Sequence, residues 1–319
     1  MSSLVYHNIM ISYIISRLLQ SIVTLLVIVT LLFFLLSILP GDAALLAGDP
    51  RMTQDPEVIA NMRAKWGLDR PIHIRYLDYM YNLFKGNLGV SFLTNTSVNS
   101  LIANAFPHTF KLVLISFLIS TTIGIFLGFV AAMKRGSFAD LISMFLAIVG
   151  ISAPRFWVGL MLMYFLSVSL NLLPSGGLGD GSLKFMILPA ITLSIPLIAL
   201  LARTTRSSVI EVTREDYVRT ARAKGLLENA VRIKHILRNS LIPIITISGL
   251  QLGGLLANTV IVEKIFSLPG MGGLVVDSIH RRDLPAVQGC ILIFSLGFIL
   301  INLLIDLLYG YLDPRISYG

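Results

Sequence analysis

Charge is scarce in this chain. Only 13% of its 319 residues are Asp, Glu, Lys or Arg, 55% are hydrophobic, and the mean hydropathy is +0.82. No soluble domain of this length hides so much apolar surface, so the composition demands a bilayer as solvent. Cysteine is nearly absent. Cys290 stands alone inside an apolar run, which excludes an intramolecular disulfide and reads as a small core residue. No G-x-x-x-x-G-K-[ST] phosphate cradle occurs, so ATP hydrolysis has to come from another polypeptide. Gly176, Gly177, Gly179 and Gly181 resemble a nucleotide loop only superficially, because they follow no strand pattern. There is no G-x-S-x-G, and the histidines (His7, His73, His108, His235, His280) include no pair at i, i+4. No catalytic residue and no metal site is therefore expected.

What the chain has is long apolar runs. Six stretches suffice to cross roughly 30 Å of hydrocarbon, which takes about 20 residues: Arg17–Leu39, Thr109–Met133, Phe138–Leu170, Leu183–Ala202, Ser240–Val262 and Val287–Tyr309. The first is too long for the apolar part of a signal peptide and reads as a retained anchor. The third exceeds the length of an upright helix and contains Pro154, so it reads as tilted or kinked there. Gly124–Gly128 and Gly249–Gly253 are GxxxG spacings that let helices approach closely. No internal repeat or low-complexity tail is evident, and the whole chain, 1–319, reads as one membrane domain.

Lys and Arg set the orientation. With both termini in the cytoplasm, the inside segments hold Arg17, the Lys134–Arg135 turn, the basic stretch Arg203–Asn239 and Arg315. The 40–108 segment would lie outside, where its length removes it from the positive-inside count and its six basic residues are balanced by six acids. It reads as a small extracytoplasmic cap with helical patches at Pro56–Trp66 and Pro71–Phe84.

Most of the net charge of +8 sits in Arg203–Asn239, with nine Lys/Arg against four Asp/Glu. Because this island abuts membrane segments, membrane lipid and protein partners fit it better than nucleic acid. Ser208 and Glu211 have capping-box spacing. Asp216–Lys224 reads as a short helix ended by Gly225, and Asn229–Asn239 as a second helix stopping before Pro243. Tyr217, Ala221 and Lys224 would share one face, with Arg219 and Arg222 on another; small Ala221 and Ala223 would let a partner's groove approach. The plainer reading is a solvated basic loop that holds anionic lipid.

Two features outside the island bear on transport. Arg155 would lie about 25 Å from Phe138 along a straight helix, a depth at which a charge usually faces a cavity or partner. It is a candidate for the translocation path and for the carboxylate of a peptide-like solute; the plainer role is bonding carbonyls freed near Pro154. In the last outer loop, Pro269, Gly270, Gly272 and Gly273 allow a tight re-entrant turn over that path, or simply a connection between helices.

Several motifs carry a resemblance. DYVRTARAKGL followed by IKHILRNSLIP is similar to the cytoplasmic coupling loop of bacterial ABC-importer permeases of the dipeptide, oligopeptide and nickel subfamily. LPGD (Leu39–Asp42), SAPRFWVG (Ser152–Gly159), EKIFSLPGMGG (Glu263–Gly273), RDLPAVQG (Arg282–Gly289) and LDPR (Leu312–Arg315) follow in the same order. In the general importer pattern an acid and two alanines precede the glycine; Arg219, Thr220 and Ala221 stand there, as in that subfamily. The resemblance implies an all-α membrane protein of type I importer architecture in the bacterial inner membrane. Its partners would be a second, homologous but distinct permease, two ATPase subunits holding ATP and Mg, and an extracytoplasmic solute-binding protein. Tyr217, Arg219, Ala221, Lys224 and Gly225 would couple ATPase motion to the spans. The solute would be a dipeptide, oligopeptide, glutathione, nickel or a metal chelate. The alternative of another class, an ion-coupled secondary transporter, normally carries Asp or Glu within its spans; here Asp140 and Asp306 lie only near span ends.

Overall fold

A computed structural model describes residues 3–38, 55–179 and 181–312, with side chains described for 14–38, 55–179 and 181–306. The motif at 39–42 and residues 313–315 lie outside these. Among the described residues the chain is helical with no strand, only an isolated bridge between Val90 and Ser97. In hydrocarbon a helix is the local way to satisfy every backbone N–H and C=O. In order the helices are α1 (Ser3–Ile38), α2 (Pro56–Lys65), α3 (Ile72–Phe84), α4 (Val98–Met133), α5 (Phe138–Ser152), α6 (Arg155–Leu162, continued by a π-helical turn Met163–Ser169), α7 (Lys184–Val212), α8 (Asp216–Ala223), α9 (Glu228–Ala230, continued by a π-helical stretch Val231–Leu237), α10 (Arg238–Ile265), α11 (Met271–His280) and α12 (Leu284–Leu312). Five described helices are long and apolar enough to cross a membrane; α5 and the α6 segment make a sixth crossing if taken together.

That pair is the third span, kinked at Pro154 as one of the two expected forms. It is not one helix over 138–170 but two, bent by 109° at the break. Pro154 has no N–H and pushes Ala153 out of the helical region, to ψ 128°, so the helix must stop there. The 25 Å depth deduced for Arg155 from a straight helix therefore does not hold. Other boundaries shift too: α4 begins at Val98, before the expected 109, α7 runs on to Val212, beyond 202, and α10 is continuous with residues back to Glu228.

The chain reads as one domain from sequence, but its contacts group into two compact units, Met1–Thr109 with Leu268–Ile299, and Phe110–Ser267 with Leu300–Gly319. In the first unit, the cap patches are α2 and α3. Asp55 caps α2 by accepting from the Glu57 N–H at 2.9 Å, with Pro56 at the favoured first position. Phe33 of α1 stacks on Tyr79 of α3 at 5.4 Å, and Thr30 bonds Tyr76 at 2.9 Å. Burial pushes the Tyr79 hydroxyl up to about 12. Asp283, almost fully buried, accepts from the Ser91 hydroxyl and from the Phe92 N–H, which pins the loop before α4 to the start of α12.

In the second unit α7 is the axis, packed by α5, α6 and α10. Two of its hydroxyls return to its own carbonyls: Thr192 donates to Leu188 at 2.8 Å and Ser194 to Ala190 at 2.5 Å. The Gly124–Gly128 pair places α4 against α7; a Cβ at Gly128 would sit 2.4 Å from the Ala202 carbonyl oxygen and 2.6 Å from Thr205 Cβ. Gly249 likewise faces Ile305 of α12. The glycine-rich stretch folds back on α10, where the Gly177 N–H donates to the Phe266 carbonyl at 2.8 Å with Gly177 at φ +77°. Overpacking at such contacts costs about 1–3 kcal/mol. Gly128→Ala should therefore lower the thermal unfolding midpoint in detergent, while Leu118→Ala, on an exposed face of α4, should move it little.

Candidate functional site

The basic island folds as a compact clip. The hydrophobic pattern of α8 is a narrow stripe, Val218 and Ala221, one helical turn apart. Both are buried with Ala132, Val209, Val231 and Ile236, and Phe129, Met133, Ile210 and Val212 close around them. Ala221 therefore faces the protein's own body at 5% exposure, and does not offer a partner the close approach expected of it. The outward surface belongs to Tyr217, Arg219, Lys224 and Gly225.

Helix α8 starts later than the capping-box spacing implies. Ser208 lies inside α7, buried, and donates to the Ser240 carbonyl at 3.2 Å, so it ties α7 to α10. The N-terminal flank of α8 is Glu215. Its end is a Schellman motif: the Gly225 N–H donates to Arg222 at 2.9 Å and the Leu226 N–H reaches Ala221 at 3.4 Å. Gly225 adopts φ +73°, a conformation glycine enters without penalty. Arg222 then grips Glu228 with two bonds, Nη2 to Oε1 at 3.0 Å and Nε to Oε2 at 3.2 Å, while Arg232 reaches Oε1 at 3.4 Å. The hydrogen bond to Glu228 pushes the Arg222 guanidinium pKa upward.

The second helix expected at Asn229–Asn239 is not a separate element. It is helical from Glu228, π-helical over Val231–Leu237, and continues through Pro243 to Ile265. The Asn239 side chain donates to the His235 carbonyl at 2.8 Å within this looser winding. Sequence reasoning stressed charge and missed the apolar part of the surface: Leu227 is 80% exposed, with Ile233 and Leu226 also exposed. The signal was present in the pair Leu226–Leu227, which follows a helix-ending glycine and so has no helical face to join.

An ion pair with a buried carboxylate sits where α7 enters this loop. Asp140, 5% exposed, accepts from Arg206 Nε at 2.6 Å and Nη2 at 2.8 Å, and from the Gly136 N–H at 3.0 Å. It joins the α4–α5 turn to the end of α7. From sequence Asp140 was only an acid near a span end.

Arg155 opens α6, just past the break. Its Nη1 donates to Asn258 Oδ1 of α10 at 2.5 Å, and Asn258 in turn donates to Gly254 at 2.7 Å. None of Tyr217, Arg219, Ala221, Lys224 and Gly225 lines the cavity beside it. Pro269, Gly270 and Gly272 belong to the other unit. They form no glycine turn: Gly270 has φ −96° and precedes α11, Gly272 is buried in its first turn, and the Met271 N–H is capped by the Thr109 hydroxyl at 2.8 Å. Among the described residues no group of three His, Cys, Asp or Glu is placed to hold a metal.

Residues 124–318 match the family model described as binding-protein-dependent transport system inner membrane component, and residues 10–113 match its N-terminal companion. The chain belongs to this family. Glutathione transport system permease protein GsiC of Salmonella typhimurium is 43% identical over 309 residues, covering 97% of this chain and all of that one. The same protein of Pectobacterium atrosepticum is 44% identical over the same span. Among solved structures, an amino acid ABC transporter crystallised with histidines aligns with a TM-score of 0.54 at 17% identity, covering 67% of this chain and 95% of that one. The inward-facing MetNI methionine ABC transporter gives 0.54 at 15% identity, covering 67% and 96%. At such identities these two show the fold, that of a type I importer permease. This permease is thus the multi-pass inner membrane component of a binding-protein-dependent ABC importer. It works with ATPase and solute-binding partners, and hydrolysis belongs to the ATPases.

Removing one member of a fully buried ion pair costs about 3–5 kcal/mol, and less where one partner is partly exposed as Arg206 is, whereas replacing both by apolar residues is often neutral. Asp140→Ala should sharply lower the detergent unfolding midpoint, and Asp140→Leu combined with Arg206→Met should recover most of the loss.

Proposed function

We propose that this permease imports a peptide-class solute, glutathione or a short peptide, as one half of a heterodimer with a second, homologous permease. Two ATPases carrying ATP and Mg dock on the two coupling loops from the cytoplasm, where both chain termini also lie. A solute-binding protein delivers the cargo from outside. The observation that carries this reading is the clip Asp216–Glu228. Its inner stripe is fixed to the body, its ends are locked by the Gly225 motif and the Arg222–Glu228 pair, and its outer face joins exposed Leu226, Leu227 and Ile233 to Arg219 and Lys224. A solvated loop that only held lipid headgroups would need neither a locked shape nor exposed leucines. The solute class is supported by the identity to glutathione permeases over nearly the full length. Nickel and metal chelates, expected for the wider subfamily, have no such support.

Gentle purification from the native membrane followed by mass spectrometry should recover two P-loop ATPases and a second six-span permease, and the intact assembly in vesicles should take up glutathione or dipeptide on ATP addition. A chain that purifies alone, with uptake driven by an ion gradient, would overturn the reading. Within that assembly, Gly225→Pro should reduce uptake at least tenfold with membrane levels intact, because proline has no N–H and cannot adopt φ +73°. Gly225→Asn, which tolerates that conformation and meets no atom within 4 Å, should keep most uptake.

A further inference from the structure

Among the described residues no carboxylate pairs with the Arg155 guanidinium. It stays protonated at any accessible pH, and inside a membrane protein such a group faces a cavity or a partner. Asn258 occupies one of its donors and, by its own bond to Gly254, holds the fork in a fixed orientation. The Nε is buried and meets no acceptor among the described residues. Nε lies on an edge of the planar guanidinium that binds a carboxylate through two parallel bonds.

That group lines a cavity of about 210 Å³ between the α5–α6 break, α7 and α10. Arg203 brings a second guanidinium to the same lining, Gln251 and Asn258 bring carboxamides, and no Asp or Glu takes part. The remaining wall is mostly aliphatic, including Pro196 and Leu200. The volume decides what part of a solute fits. Sites that enclose a whole drug-sized ligand measure about 300–1,000 Å³, so this one suits a terminal group.

We propose that Arg155, held by Asn258 and joined by Arg203, forms an intramembrane subsite for a carboxylate of the transported solute. This rests on the peptide-class reading above and names the solute group recognised. The break at Pro154 then has a purpose beyond kinking a helix. It brings a permanent cation to the end of a transmembrane segment without placing it in the lipid.

The test uses the complete transporter in vesicles and two probes, glutathione and alanyl-alanine, each as free acid and as C-terminal amide. The wild type should prefer acid over amide, and Arg155→Gln and Arg203→Gln should each reduce that preference, the former at least tenfold. If Arg155→Gln loses uptake of both forms, Arg155→Lys decides: it keeps the charge but not the fork, and a weakened acid preference supports the subsite while an unaltered one overturns it. An acid-to-amide ratio untouched by Arg155→Gln, with loss of thermal stability only in phosphatidylglycerol vesicles, would assign the guanidinium to lipid phosphate and overturn the subsite alone. No uptake of either acid by the wild type would overturn the solute reading and the subsite together.

Discussion

Hydrocarbon offers no hydrogen bonds, and much of this structure follows from that one constraint. It makes long helices obligatory and sends the hydroxyls of Thr192 and Ser194 back to carbonyls of their own helix. It also makes van der Waals fit, rather than the hydrophobic effect, the force between helices, since lipid tails are as apolar as leucine. Hence the close seating of Gly128 on Ala202, where even a methyl group has no room. Where the helix fails, as at Ala153–Pro154, polar groups gather: Arg155, Asn258 and Gln251 all lie around the break.

The loop outside the hydrocarbon follows different rules. There water satisfies the backbone, and shape has to be imposed by side chains. A small apolar cluster under Val218 and Ala221, a glycine-ended helix and the Arg222–Glu228 pair together do so. Surface ion pairs are individually weak, typically under about 1 kcal/mol, and this one is half exposed; its worth lies in setting the path of the chain as it returns to the membrane. Asp140 and Arg206 are a different case. They are doubly bonded, with Asp140 buried and Arg206 partly exposed, and lie where the loop leaves α7, so the loop's base is fixed to the turn between α4 and α5.

The spans and the island were legible because they rest on composition over long windows, which tolerates errors of a few residues. The short helix Asp216–Ala223 and its glycine stop were legible because both signals are local. What was not legible depended on partners distant in sequence. Ala221 read as an accessible small residue, yet Ala132 and Ile236 bury it. Ser208 satisfied a local capping rule, yet α7 had already begun far upstream and its hydroxyl served Ser240. Arg155 could be singled out as a costly charge, but Asn258, 103 residues away in sequence, could not be named as its support. The glycines after Pro269 pointed to a turn, and the fold used them at the start of a helix, where small residues permit burial without a special backbone conformation.

The unbroken helical path from Glu228 to Ile265 has a mechanical meaning. Glu228, at one end, is held by the clip, and Asn258, about 45 Å farther at 1.5 Å per residue, is bonded to Arg155. No hinge loop interrupts it. Rigid along its length, it ties the Arg222–Glu228 pair at one end to the Asn258–Arg155 bond near the other, so a displacement of the first shifts the second.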